Sequence, residues 1–250
     1  MIMQKFNSAG VEIAFSDEGQ GAPVLLIHGF ASNARVNWQA TGWTKTLLDA
    51  GYRVITLDNR GHGESEKLYD PQAYSASIMA DDAGRLLDFL NIKQAAVMGY
   101  SMGARISAFL TLQRPDLISK VIFAGLAERM ILGVPGSDDI AAAMEAPSRA
   151  DIKDRGALGF RVFAEQTKSD LKALAACIRS SRVKLKPEAL AKIACPVLVV
   201  AGEVDDVSGP VQPLVDIIPE AKGVTLLGRN HMNAVGDVVY KKAVLAFLAE

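Results

Sequence analysis

Gln94-Ala95-Ala96-Val97-Met98-Gly99-Tyr100-Ser101-Met102-Gly103-Ala104 decides how the rest of the chain is read. Residues 94–98 form a short, mostly apolar run that stops at a glycine, as a buried strand does. Residues 104–114 contain no proline until Pro115 halts them, which predicts a helix. A serine between two glycines at such a junction marks a sharp turn that lifts its hydroxyl out at the C-terminal edge of a sheet. The glycines admit close approach of backbone and substrate, and the first helical turn offers free amide hydrogens to an anion. Ser101 is therefore the candidate nucleophile.

Outward from this junction, β-type and α-type segments alternate. Residues 24–27 (Val-Leu-Leu-Ile) are a continuous apolar run, as in a strand buried on both faces. Residues 53–57, 120–124, 196–201 and 224–227 read as further strands, and residues 11–16 as an early antiparallel hairpin strand. Met79, Ala83, Leu86, Leu87 and Leu90 recur at helical spacing, with Asp81, Asp82 and Asp88 on the other side. Val238, Val239, Ala243, Phe247 and Leu248 predict a C-terminal helix of the same kind. The pattern predicts an α/β fold with a mostly parallel central sheet flanked by helices.

Residues 127–190 break the rhythm. They show no convincing strand, and 20 of the 64 are charged, against 22% over the whole chain, too many for a separate core. The expectation is one core domain, residues 1–126 and 191–250, carrying a helical cap insertion at 127–190. Residues 133–139 would be a loop within that lid.

The balance of 27 basic and 28 acidic residues leaves no patch suited to nucleic acid, and residues 179–186 read as a solvated helix face. The first ten residues lack the pattern of a signal peptide, and no apolar run approaches the ~20 residues that span a bilayer, so no membrane partner is expected. Cys177 and Cys195 have no metal-ligand spacing and read as the reduced thiols of a cytoplasmic protein. No metal motif, phosphate loop or dinucleotide fingerprint is present, so no cofactor is expected.

A serine needs a base, and the base needs a third group to hold it. The chain has 3 histidines. His28 closes the first buried strand, and His62 sits in the turn-rich stretch 58–65. His231 follows the last strand, on the side of the sheet where ligands collect. His231 is the candidate base. The acid should leave another strand end: Asp205 after residues 196–201 is the first choice, Asp206 the second and Glu128 the third.

Taken together, the residues resemble the α/β-hydrolase superfamily, in its esterase-like serine-hydrolase branch with a small helical cap. The order Ser101, Asp205, His231 matches that fold. So do His28-Gly29 after the first buried strand, the stretch Asp58-Asn59-Arg60-Gly61-His62-Gly63-Glu64-Ser65, and Gly202-Glu203-Val204-Asp205. The resemblance implies an oxyanion hole from the backbone amides of Phe30 and Met102, with His28 and His62 as structural residues. Arg60 is expected to tie its loop to neighbouring backbone. Tyr100 and Arg229 are candidates for the substrate pocket.

Serine at the turn argues against the epoxide hydrolase and haloalkane dehalogenase relatives, which place aspartate there. The expected reaction is hydrolysis of a small or medium carboxylic ester by a monomer or homodimer. A carbon–carbon bond or enol-lactone hydrolase is the alternative, for which Arg229 and Arg161 are the only hints of a site for a second carboxylate. A non-catalytic small-molecule receptor is a further alternative, and cofactor-free peroxidase chemistry would be a side activity.

Overall fold

In the computed structural model, which describes residues 1–250, the apolar runs become eight strands of one sheet. They are β1 Gln4–Ser8, β2 Val11–Glu18, β3 Pro23–Ile27, β4 Arg53–Leu57, β5 Ala95–Tyr100, β6 Ile118–Ala124, β7 Val197–Gly202 and β8 Ala221–Leu226. Their order is β1-β2-β4-β3-β5-β6-β7-β8. β1 and β2 form an antiparallel hairpin, β2 runs antiparallel to β4, and every other pairing is parallel. β1 was not anticipated from the sequence: its burial alternates, and only Phe6 and Ser8 of it are buried.

Alternate side chains of the central strands feed two separate cores. Leu25, Ile27, Val97, Val121, Phe123 and Val199 pack on one face. Val24, Leu26, Met98, Ile122 and Val200 pack on the other, with Trp38, Trp43 and Tyr240. A strand buried on both faces needs no polar alternation, which is why these runs read as continuous apolar stretches.

Helices α1 Trp43–Asp49, α2 Ala76–Phe89 and α3 Met102–Gln113 follow β3, β4 and β5 in turn. Residues 127–190, between β6 and β7, contain α4 Arg129–Leu132, α5 Ser137–Glu145, α6 Arg155–Gln166, α7 Leu171–Ser180 and α8 Pro187–Leu190, and no strand. α9 Gln212–Val215 and α10 Val238–Ala249 complete the chain. The chain leaves β3 for β4 on one side and then returns to β5 on the other. That reversal opens a crevice at the C-terminal ends of β3 and β5.

Three readings of helical faces are corrected. Asp82 is not on a solvent face with Asp81 and Asp88: it is 1% exposed. It accepts two bonds from Arg60, at 2.7 and 2.8 Å, and one from Ser8 Oγ at 2.5 Å. Arg60 thus spends most of its fork on a buried carboxylate and only one bond on backbone, to Ala73 O. Val238 and Val239 are exposed, because Tyr240, Val244 and Phe247 form the packed stripe of α10. Residues 179–186 are not one solvated helix face: α7 ends at Ser180, and beyond it Ser181 and Leu185 are buried and Arg182 turns inward, while Arg179, Val183, Lys184 and Lys186 are exposed.

Candidate active site

The turn after β5 is built by close contact. A side chain on Gly103 would meet Ile27 O at 1.9 Å, and one on Gly99 would meet Gly103 O at 2.1 Å, so only glycine lets α3 start against the end of β3. Between them Ser101 adopts φ 56° and ψ −113°, a sparsely populated conformation that costs on the order of 1–3 kcal/mol. Its amide, donating to Ala124 O at 2.7 Å, helps hold it there. The hydroxyl is thereby aimed into the crevice.

His231 lies on the loop between β8 and α10. Its Nε2 is 3.0 Å from Ser101 Oγ, and its Nδ1 is 3.0 and 2.9 Å from the two oxygens of Asp205. Tyr100 Oη donates to His231 O at 2.6 Å and anchors that loop. Asp205, 5% exposed, leaves β7 in a turn where its Oδ1 also accepts from the amides of Val207 and Ser208. The Asp206 side chain is exposed, and neither it nor Glu128 bonds to His231. An imidazole whose Nδ1–H donates a hydrogen bond to a carboxylate presents a bare Nε2 to the serine hydroxyl, the arrangement a general base requires.

The other two histidines serve the framework. His28 Nδ1 donates to Gly29 O at 2.7 Å, and its Nε2 accepts from the Asn59 amide at 2.9 Å. His62 Nδ1 donates to Arg60 O at 3.0 Å. Burial pushes the imidazoles down to about 4 and about 3 respectively, so both stay neutral; His28 ties the loops after β3 and β4 together, and His62 braces its own loop.

The amides of Phe30 and Met102 flank Ser101 and donate to no group of the protein. Phe30 follows Gly29, whose own amide is held by Asn37 Oδ1 at 3.1 Å. Asn37 escaped the sequence reading. It sits in a π-helical turn, Arg35–Gln39, and its buried Nδ2 has no partner although the residue lines the cavity beside Ser101. No local signal in residues 35–39 marks it.

That cavity, about 240 Å³, is bounded by Ser101, His231, Tyr100, Phe30, and Phe160 and Phe163 of α6. Helical residues 127–190 therefore supply part of its wall. Arg229 does not line it: its guanidinium turns to Asp237, the N-cap of α10, at 2.7 Å. The expectation that Arg229 belongs to the substrate pocket is corrected accordingly. Arg161 is likewise engaged, bonding Glu165, Ala143 O and Ala146 O. Cys177 and Cys195 are both free, and no helix is long and apolar enough to cross a membrane.

A nucleophile turn at the switch point of such a sheet defines a hydrolase fold. The family model for the alpha/beta hydrolase fold matches residues 22–138, and the chain has the α/β-hydrolase fold. A non-heme chloroperoxidase of Kitasatospora aureofaciens is 43% identical over 94 residues, which span 38% of this chain and 32% of that protein. BpoC of Mycobacterium tuberculosis, named as a non-heme bromoperoxidase, is 29% identical over 89% of this chain and 91% of its own. Among solved structures, an esterase of Exiguobacterium antarcticum matches with TM-score 0.83 at 20% identity, covering 100% of both chains. Epoxide hydrolases and a meta-cleavage product hydrolase also stand among the neighbours, so the company is one of fold and not of a single reaction.

Proposed function

We propose that this chain hydrolyses a carboxylic ester through an acyl-enzyme, with Ser101 as nucleophile, His231 as base and Asp205 as the group that orients the imidazole. The observation that carries the reading is the unbroken chain of contacts from Ser101 Oγ through His231 to Asp205, beside two amides that donate to nothing else. As Ser101 Oγ attacks the ester carbonyl, His231 Nε2 takes its proton and Asp205 stabilises the imidazolium. The Phe30 and Met102 amides receive the developing oxyanion, where losing one such donor typically costs ~10²–10³ in rate. His231 then returns the proton to the leaving alkoxide, and water repeats the sequence to release the acid.

The size of the cavity supports a small or medium ester, since 240 Å³ lies just below the roughly 300–1,000 Å³ typical of sites for drug-sized ligands. Serine in place of an aspartate favours this chemistry over epoxide opening. Arg229 and Arg161, which pointed to the carbon–carbon alternative, are engaged elsewhere and do not themselves hold a second carboxylate. Two free thiols support a cytoplasmic location.

Steady-state hydrolysis of p-nitrophenyl esters from acetyl to dodecanoyl tests the proposal. The wild type should turn over short chains repeatedly, and Ser101→Ala and His231→Ala should each lose about 10⁴-fold or more in kcat while staying folded. A folded wild type without turnover, or a Ser101→Ala variant within about tenfold of it, overturns the reading.

A further inference from the structure

A second, smaller cavity of about 20 Å³ lies against Ser101, and its wall includes Phe30, Met102, Arg105 and Arg182. Arg105 stands one turn beyond Ser101 on α3 and is 2% exposed. Its guanidinium makes one hydrogen bond, from Nη1 to Val183 O. Arg182, from the segment after α7, donates through Nη1 to Pro135 O at 2.7 Å, with a longer contact to Val134 O. Phe160, 5.9 Å from the Arg182 guanidinium, lines both cavities.

Neither arginine takes part in an ion pair, whereas the buried Arg60 has Asp82 and the largely buried Arg161 has Glu165. A guanidinium has five N–H donors, so most of the fork of each is unspent. Burial pushes Arg105 down to about 10, with repulsion from Arg182 adding to it, and burial does the same to Arg182. Both remain cationic at neutral pH. Cys177, the group nearest in charge terms to Arg182, has its thiol pushed up to about 12 by burial and offers no compensating charge. Two like charges on one largely buried cavity wall without a counter-ion are costly unless something anionic comes to meet them.

We propose that Arg105 and Arg182 form an anion site that receives a carboxylate carried by the acyl part of the substrate. The natural substrate class is then the half-ester of a short dicarboxylic acid. This rests on the reading of Ser101 as the nucleophile, because the two arginines share a cavity wall with it. The small cavity has room for one carboxylate head or one to two waters. The larger cavity, which also borders Ser101 and is walled by Phe163 and Val235, takes the leaving alcohol. Planar, bidentate recognition of carboxylate is what the arginine fork does best. The rival account is that both arginines serve only to stitch residues 134–135 and 183 to the core through backbone carbonyls.

The test compares monomethyl succinate, glutarate and adipate with the methyl esters of butanoic, pentanoic and hexanoic acid. The anionic member of at least one pair should be preferred by tenfold or more in kcat/KM, and Arg182→Gln should cut that ratio at least tenfold. Arg182→Lys should keep part of it. Equal ratios in wild type and Arg182→Gln, or a wild type that prefers the neutral ester, overturn the anion site even if Ser101-dependent hydrolysis stands. Calorimetric binding of monomethyl glutarate to Ser101→Ala and to Ser101→Ala/Arg182→Gln gives a readout independent of turnover. Binding lost tenfold or more in the double variant supports the site even if no ester is cleaved, and equal binding, or none to either protein, refutes it. Arg105→Gln, where it folds, should behave as Arg182→Gln does.

Discussion

The C-terminal edge of the sheet and its junction with the helical residues 127–190 treat charge in opposite ways. At the edge, Arg60 is met by both oxygens of Asp82, and His28 has a partner at each ring nitrogen. At the junction with the helical residues, Arg105 and Arg182 are met only by carbonyl oxygens, and the aromatic wall of Phe160 and Phe163 is half-buried. Arg60 and His28 are given partners inside the fold, whereas Arg105 and Arg182 keep donors to spare. On the proposed reading, reaction geometry belongs to the sheet edge and selectivity to the helices over it.

The edge is the easier side to break. Asp82→Ala strands the buried Arg60 and removes the bond from Ser8, so a loss of about 3–5 kcal/mol is expected in urea unfolding. A loss under about 1 kcal/mol would mean that the frame does not depend on this pair. Acid probes the same frame more gently. His28 and His62 are neutral when folded, whereas the unfolded chain binds a proton at each near pH 6.5, so their stabilisation is complete above that pH. It should fall between about 6.5 and 4 by roughly 1.4 kcal/mol per pH unit for each histidine. Urea midpoints at pH 7, 6 and 5 check this, because His62→Gln should flatten the slope by one histidine's share. A slope unchanged in that variant contradicts the buried neutral assignment.

The helical side gives the smallest effect on the fold and a distinct one on selectivity. Phe160→Ala joins the two cavities and should move the acyl-chain optimum toward longer esters, with kcat/KM changing about tenfold and stability by about 1 kcal/mol. An unchanged chain-length profile would detach residues 127–190 from substrate choice.

The same division explains what could be read in advance. The strands around Ser101 are continuous apolar runs, and the turn after β5 is written in two glycines that steric contact makes irreplaceable. With 3 histidines in the chain and one past the last strand, the meeting of Ser101 with His231 was open to elimination. Long-range pairing was not legible. Helical spacing put Asp82 with Asp81 and Asp88, because nothing local announces that Arg60, 22 residues earlier, comes to bury it. Arg229 looked free for a substrate until Asp237 took it. Arg105 carried one usable signal, its place one turn beyond Ser101 on the same helix. The inward turn of Arg182 depends on where α7 stops.

The claim on which the rest depends is that Ser101 carries the acyl group. Rapid mixing with a p-nitrophenyl ester, acid quench and mass analysis of the peptide containing Ser101 measures this directly. The account predicts a transient gain of one acyl group on Ser101 that decays at the turnover rate and is absent from Ser101→Ala. Turnover without that intermediate, or an acyl group found on another residue, would contradict it.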